Sequence, residues 1–441
     1  MSLTPPPTVG KLRTALGDKA KASPGYRFYA LYDKLYRRDI LEHAYRRSKA
    51  NAGACGVDGQ TFADVESYGE EKWLDELATA LKEQTYQPSP VRRAYIPKAD
   101  GGQRPLGIPT IKDRVAQMAA VLVLEPIFEA DLQPEQYAYR QGRSALDAIV
   151  QVQSLLDAGY TDVVDADLSG YFDAIPHAEL MKSLARRISD GRVLALIKSW
   201  LEAPVEETDD RGQPHRTTRA KDEGRGTPQG GVISPLLSNV YMRRFVMTWM
   251  RKGYVGWLDA YVVNYADDFV ILSLCRADEA MAQMRSMMAK LKLTVNERKT
   301  RRCRVPEESF TFLGYTFGLC YSQKSGKGYV SPRPAVAKVQ KLCRSISAET
   351  DRRTCGGEIR DLVVKLNAML RGWANYFCLG PVRKAYAAIM RHTRNRLRRW
   401  LCAKYKVRHR DYAEFPNEKL HDELGLCQLE GKPHRLLWAK S

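Results

Sequence analysis

The chain has 441 residues, with 70 Lys and Arg against 51 Asp and Glu and a formal net charge of +19. That length leaves room for about two to four structural units with cores of their own. The charge disfavours an enzyme of small metabolites and favours a partner with a phosphate backbone; an anionic bilayer is the rival, but no run of about 18 apolar residues is present to span one.

Residues 1–25 read as a tail. The first ten are Pro-rich and lack the apolar stretch of a signal peptide, so a cytoplasmic location is expected. From Tyr26 to Ala50, Leu31, Leu35, Leu41 and Tyr45 recur at helical spacing, interleaved with Arg37, Arg38, Arg46 and Arg47. Gly56 to Gly59 is a turn, and Trp73, Leu74, Leu77 and Leu81 mark a second amphipathic helix. Between Arg92 and Pro109, two short strands flank a Gly-rich turn, with Lys98 and Arg104 on either side of it. Residues 111–130 are predicted helical. Asp162 to Asp167 is a strand, and Tyr261 to Leu274 is a strand, a tight turn and a returning strand. Helices between these strands make the centre mixed α and β. After Pro334 only helical patterns remain, three in succession. The last carries nine Arg or Lys and no acid between Arg391 and Arg410.

The nine cysteines are scattered without a C-x-x-C pair. The spacing of Cys402, His409, His421 and Cys427 is too irregular for a structural zinc site. No internal repeat is evident.

Two acidic groups carry chemistry. Asp267-Asp268 sits in a turn between apolar strands. Taken alone, this is equally a hairpin with two solvated carboxylates or a pair held together by a divalent cation, since adjacent half-buried carboxylates repel. The strand ending at Asp167 decides between them. Asp165 and Asp167 share one face by strand alternation, and an Asp at a strand end beside an Asp-Asp hairpin can clamp two Mg²⁺ about 4 Å apart for phosphoryl transfer.

The ordered motifs are Ile96-Pro97-Lys98, Arg104-Pro105-Leu106-Gly107-Ile108-Pro109, Asp167-Leu168-Ser169-Gly170-Tyr171-Phe172-Asp173, Gly226-Thr227-Pro228-Gln229-Gly230-Gly231, Tyr265-Ala266-Asp267-Asp268, Asn296-Glu297-Arg298-Lys299 and Gly372-Trp373-Ala374-Asn375-Tyr376-Phe377. Over nearly the whole chain, from about residue 26 to about residue 437, the sequence resembles bacterial group II intron-encoded reverse transcriptases, or maturases. The resemblance implies an α+β right-hand polymerase of fingers, palm and thumb with an all-helical basic C-terminal region. It implies divisions at 1–85 (N-terminal extension and start of the fingers), 86–325 (fingers and palm), 326–395 (thumb and maturase helices) and 396–441 (basic nucleic-acid-binding segment). Asp167, Asp267, Asp268 and the Leu168 backbone carbonyl would hold two Mg²⁺. Lys98 and Arg104 would grip the triphosphate, Lys299 would lie near the pyrophosphate, Gln229 would line the nucleotide pocket, and the Phe172 ring would exclude a 2′ hydroxyl. Arg140, Arg143, Arg391, Arg394, Arg398, Arg399, Lys404 and Lys406 are expected to touch nucleic acid, whereas Trp373, Tyr376 and Phe377 are expected in the core.

Partners implied are a group II intron RNA, an RNA template, a DNA primer or target, and dNTPs, in a bacterial cytoplasm and at the nucleoid. Many members have Tyr-Gly-Phe-Arg-Pro-Gly-Arg-Ser where this chain has Tyr137-Ala138-Tyr139-Arg140-Gln141-Gly142-Arg143-Ser144. The His-Asn-His endonuclease module of some relatives is not found in the sequence, so second-strand cleavage is not expected and priming from an existing DNA end is. The alternatives are a domesticated enzyme in DNA repair or phage defence with no intron RNA, and a non-catalytic RNA-binding splicing factor.

Overall fold

The computed structural model describes residues 4–97, 102–209, 213–322, 324–407 and 412–430. The strands in chain order are β1 (Val91–Pro97), β2 (Gln103–Ile108), β3 (Asp162–Asp167), β4 (Val205–Thr208), β5 (Pro214–Thr217) and β6 (Ala260–Tyr265). They continue with β7 (Asp268–Ser273), β8 (Arg301–Arg304), β9 (Phe310–Phe312), β10 (Tyr315–Tyr321) and β11 (Gly328–Pro334).

The palm is a four-stranded antiparallel sheet in the order β6-β7-β3-β8. Side chains alternate across it and feed two cores. Val164, Ala166, Val262, Phe269 and Ile271 pack against the helices Ser234–Arg251 and Ala277–Lys290. Val163, Val263, Val270 and Leu272 pack against the helix Ala145–Asp157 and the aromatic side chains of β9 and β10. A second sheet, β2-β1-β4-β5, forms the fingers, with β1 and β2 an antiparallel hairpin in which Ile96 opposes Arg104. β2 leads into the helix Ile111–Glu129, buried along most of its length.

The expected tail is a helix, Pro7–Ala22. Proline at the helix start is pre-set for that position, and Val9, Leu16 and Ala20 are buried in the core that contains the long helix. Arg13 ties the two together through the Leu122 carbonyl at 2.9 Å and Glu125 at 2.7 Å. The Lys-rich sequence between these apolar positions hid the stripe. The segment Tyr26–Ala50 is not one helix but two, Tyr32–Leu35 and Arg38–Ala50, separated by an extended Arg37.

Three helices, Val336–Glu349, Ile359–Tyr376 and Arg383–Lys404, close a bundle around Ile346, Leu366, Leu370, Ile389, Leu397 and Leu401. Two expected divisions cut through continuous structure. A cut at 325/326 separates β11 from β10, its antiparallel partner over seven residue pairs. A cut at 395/396 falls inside the helix Arg383–Lys404. Composition changes along that helix, but its hydrogen-bonding and apolar face do not.

Candidate active site and nucleic-acid interface

The acidic residues meet because β3 and β7 are neighbours. Their register places Asp167 opposite Asp268 and Asp165 opposite Val270, on the face shared with Val163 and Leu272. Asp267 occupies the two-residue turn between β6 and β7. Ala266, at the first turn position, has φ +58°, and its carbonyl accepts from Asn264 Nδ2 at 2.9 Å. A left-handed alanine in a tight hairpin is strained and persists because its surroundings fix it.

Burial raises all three of Asp165, Asp267 and Asp268. Asp268 is exposed on one side but surrounded by protein on its others. Burial, and then Asp267, Asp167 and Asp165, push it up to about 7, against a smaller opposing pull from Lys299. Asp165 is pushed up to about 6, chiefly by burial and against the pull of Arg301. Asp267 is raised by burial and by Asp167, while Arg104 and Lys299 lower it. Arg104 on β2 therefore acts on the same charge as the palm lysine.

Asp167 is held by a loop that sequence reasoning assigned only through Lys299. Asn296 Nδ2 donates to Asp167 Oδ2 at 2.9 Å, the Asn296 N–H donates to the Asp167 carbonyl at 2.9 Å, and Lys299 Nζ lies 3.4 Å from Oδ2. Leu168 bridges to Val295, which fixes this loop beside the strand end. Among the described residues no three His, Cys, Asp or Glu side chains form a ready-made metal cage. Asp167 Oδ2 faces Asn296 and Lys299, while its charge also raises Asp267 and Asp268. The donor set itself fits a hard divalent cation: oxygen ligands whose charged forms are destabilised by burial and by each other.

Phe172 packs edge-on to buried Tyr171 at 5.6 Å and is itself half-buried. Its carbonyl accepts from the Thr227 N–H at 2.7 Å, which draws the Gly226–Gly231 loop to the strand-end segment. Gln229 Nε2 donates to Asp173 at 3.0 Å, and the Gln229 carbonyl accepts from the Gly107 N–H at 2.5 Å. Gly230 has φ +107°, and any Cβ there would strike the Gly107 carbonyl oxygen. The fingers hairpin is thus seated on the Gly226–Gly231 loop. Beside this contact lies a cleft of about 330 Å³, lined in part by Arg93, Arg219 and Arg225. Lys98 lies outside the described residues.

The expected nucleic-acid contacts divide. Arg140 is internal: its side chain is 6% exposed, pairs with Glu129 at 2.6 Å and donates to the Gln133 and Gln136 carbonyls. Arg398 is 3% exposed and donates to the Phe415 carbonyl and Asn417, with Tyr412 stacked on it. These two hold the fold, and the expectation that they touch nucleic acid is corrected: a run of arginines does not say which ones a helix turns inward. Arg143 donates to the Pro134 carbonyl, and Lys404 to the Gly357 carbonyl. Arg391, Arg399 and Lys406 are exposed, and Arg394 is half-buried. Trp373, Tyr376 and Phe377 form an aromatic cluster with Tyr315, and the Tyr315 and Tyr376 hydroxyls bond to backbone carbonyls across the sheet-to-bundle joint. All nine cysteines are free.

Residues 96–317 match the family model described as "Reverse transcriptase (RNA-dependent DNA polymerase)". The chain belongs to the reverse transcriptase family. Residues 339–414 of this reverse transcriptase match "Group II intron, maturase-specific domain", a span that contains the whole of the Arg-rich helix. It is 32% identical over 391 residues to Protein YkfC of Escherichia coli strain K12, covering 80% of this chain and 99% of that protein. It is 36% identical over 229 residues to the group II intron-encoded protein LtrA of Lactococcus lactis subsp. cremoris, covering 51% of this chain and 36% of LtrA. A Candida albicans telomerase structure superposes with a TM-score of 0.42 at 13% identity, covering 82% of this chain and 70% of that one, too loose to argue from. The fold is that of a right-hand polymerase, and the reverse transcriptase carries a group II intron maturase domain. The family as a whole requires a divalent metal. No helix among the described residues is long and apolar enough to cross a membrane.

Proposed function

We propose that the protein extends a DNA 3′ end along an RNA template from dNTPs, using Asp167, Asp267, Asp268 and the Leu168 carbonyl to hold two Mg²⁺. The observation that carries this reading is the register that sets Asp167 opposite Asp268, beside the Asp267 turn. When bound, the divalent ions supply charge neutralisation for the triphosphate and ease deprotonation of the 3′ hydroxyl. The protein's own side chains do the rest. Asn296 and Lys299 position Asp167 at the strand end. Arg104 and Lys98 draw the triphosphate over the acids, and Lys299 meets the leaving pyrophosphate. Phe172 sits below the incoming sugar and excludes a 2′ hydroxyl, while Gln229 and the Gly230-Gly231 backbone line the base side of the pocket.

The bundle supports binding of a group II intron RNA through exposed Arg391, Arg399 and Lys406 and half-buried Arg394, largely by phosphate and shape. That binding would assist splicing and, together with a DNA target, retrohoming in the bacterial cytoplasm and at the nucleoid. Primer extension on an RNA template tests the enzyme. Activity should need Mg²⁺ and vanish in Asp267→Ala while RNA binding persists. RNA that co-purifies with the protein, extracted and sequenced, tests the intron partner. Transcripts unrelated to a folded intron would favour a domesticated role.

A further inference from the structure

The segment Gln136–Arg140 runs beside the catalytic hairpin. Gln136 bridges Asn264, the Tyr137 N–H donates to the Asn264 carbonyl at 3.0 Å, and the Asn264 N–H donates to the Glu135 carbonyl at 2.9 Å. Asn264 in turn holds the Ala266 carbonyl of the turn that bears Asp267. The segment is pinned on both sides of one residue. The Ala138 carbonyl accepts from Asn239 Nδ2 at 2.7 Å, and the Arg140 guanidinium is locked to Glu129 and two carbonyls.

Between these anchors stands Tyr139, with φ +55° and 50% of its surface exposed. A left-handed backbone and an exposed aromatic ring each work against stability, so their coincidence at a pinned position marks a side chain held out for use. The ring lies within electrostatic reach of Asp267, Tyr265, Arg104 and Asp268. Among the described residues its hydroxyl has no hydrogen-bond partner.

Granting the polymerase reading above, the reacting 3′ end must sit at these acids, and Tyr139 must face the last base pair. A polymerase accepts all four templates, so one fixed donor can serve only an acceptor common to every pair. The minor-groove edge, with its degenerate purine N3 and pyrimidine O2 acceptors, supplies one. We propose that Tyr139 is a substrate-contacting, specificity-determining residue whose hydroxyl donates to the minor-groove acceptor of the nucleotide at the primer 3′ end. A phenylalanine keeps the ring and lacks the donor.

The test is single-nucleotide extension on one RNA template from primers ending in deoxyadenosine or 3-deaza-deoxyadenosine, which lacks the N3 acceptor. Wild type, Tyr139→Phe and Tyr139→Ala are compared, with thermal melting to check folding. The deaza primer should lower wild-type kcat/KM by about two- to tenfold, the range of one hydrogen bond. Tyr139→Phe should show that same loss on the natural primer and no further loss on the deaza primer. Tyr139→Ala should lose more, through the missing ring. If wild type and Tyr139→Phe lose equally on the deaza primer, or neither loses, the contact does not exist. If wild type extends neither primer, the polymerase reading falls and takes the contact with it.

Discussion

Asp167 and Asp268 oppose each other directly across the β3–β7 ladder, two carboxylates where a sheet ordinarily avoids like charge. Asp268→Asn removes that repulsion together with a proposed metal ligand. Polymerase activity should fall by at least about 100-fold, while the melting temperature in chelator rises by about 1–3 °C. Paired extension and melting measurements check this. A variant that melts lower than wild type in chelator would show that the pair is not a repulsive one.

The raised Asp165 and Asp268 predict a pH signature. A carboxyl whose folded pKa lies above its unfolded value stabilises the fold while protonated and loses that contribution as pH rises through the folded value. Asp165 at about 6 and Asp268 at about 7 place the loss between about pH 4 and about pH 7 in chelator. Binding of Mg²⁺ needs the ionised form, so millimolar Mg²⁺ should raise the melting temperature more at about pH 8 than at about pH 5.5. Scanning calorimetry across that range checks it, and equal shifts at both ends would contradict it.

Gly230→Ala places a methyl group against the Gly107 carbonyl oxygen at a backbone angle of φ +107°. The fingers hairpin must lift or the loop must shift. Stability should drop by about 1–3 kcal/mol. Because the hairpin carries Arg104, KM for dNTP should rise more than kcat falls. Urea denaturation and steady-state kinetics separate the two effects.

Adjacent arginines should behave oppositely. Arg398→Ala empties a buried site and leaves the Phe415 carbonyl unpaired, which should cost about 2–4 kcal/mol. Arg399→Ala, on the exposed side, should leave melting unchanged but weaken RNA binding and reduce the salt slope by about one phosphate contact. Filter binding across ionic strength, with melting in parallel, checks both.

The alternating runs around Asp167 and Asp268 were legible because each strand is short, apolar and bounded by turns. The three bundle helices were legible because their apolar faces repeat at helical spacing. The helix Pro7–Ala22 was not, because its apolar stripe of Val9, Leu16 and Ala20 is narrow and gains meaning only against the helix Ile111–Glu129. Arg398 and Arg399 are indistinguishable in sequence; a rotation of about 100° between successive helix residues turns one inward and the other out.

Residue types and motif order alone determined the acids, the cations around them and the mixed palm followed by a helical bundle, since local propensity and charge chemistry are written in the chain. Tertiary structure decided which acids face one another, that Asn296 holds Asp167, that Gly107 rests on Gly230, and that Tyr139 stands exposed beside the Asp267 turn. Those facts depend on strand register and on contacts between segments more than 100 residues apart, and no local pattern encodes them.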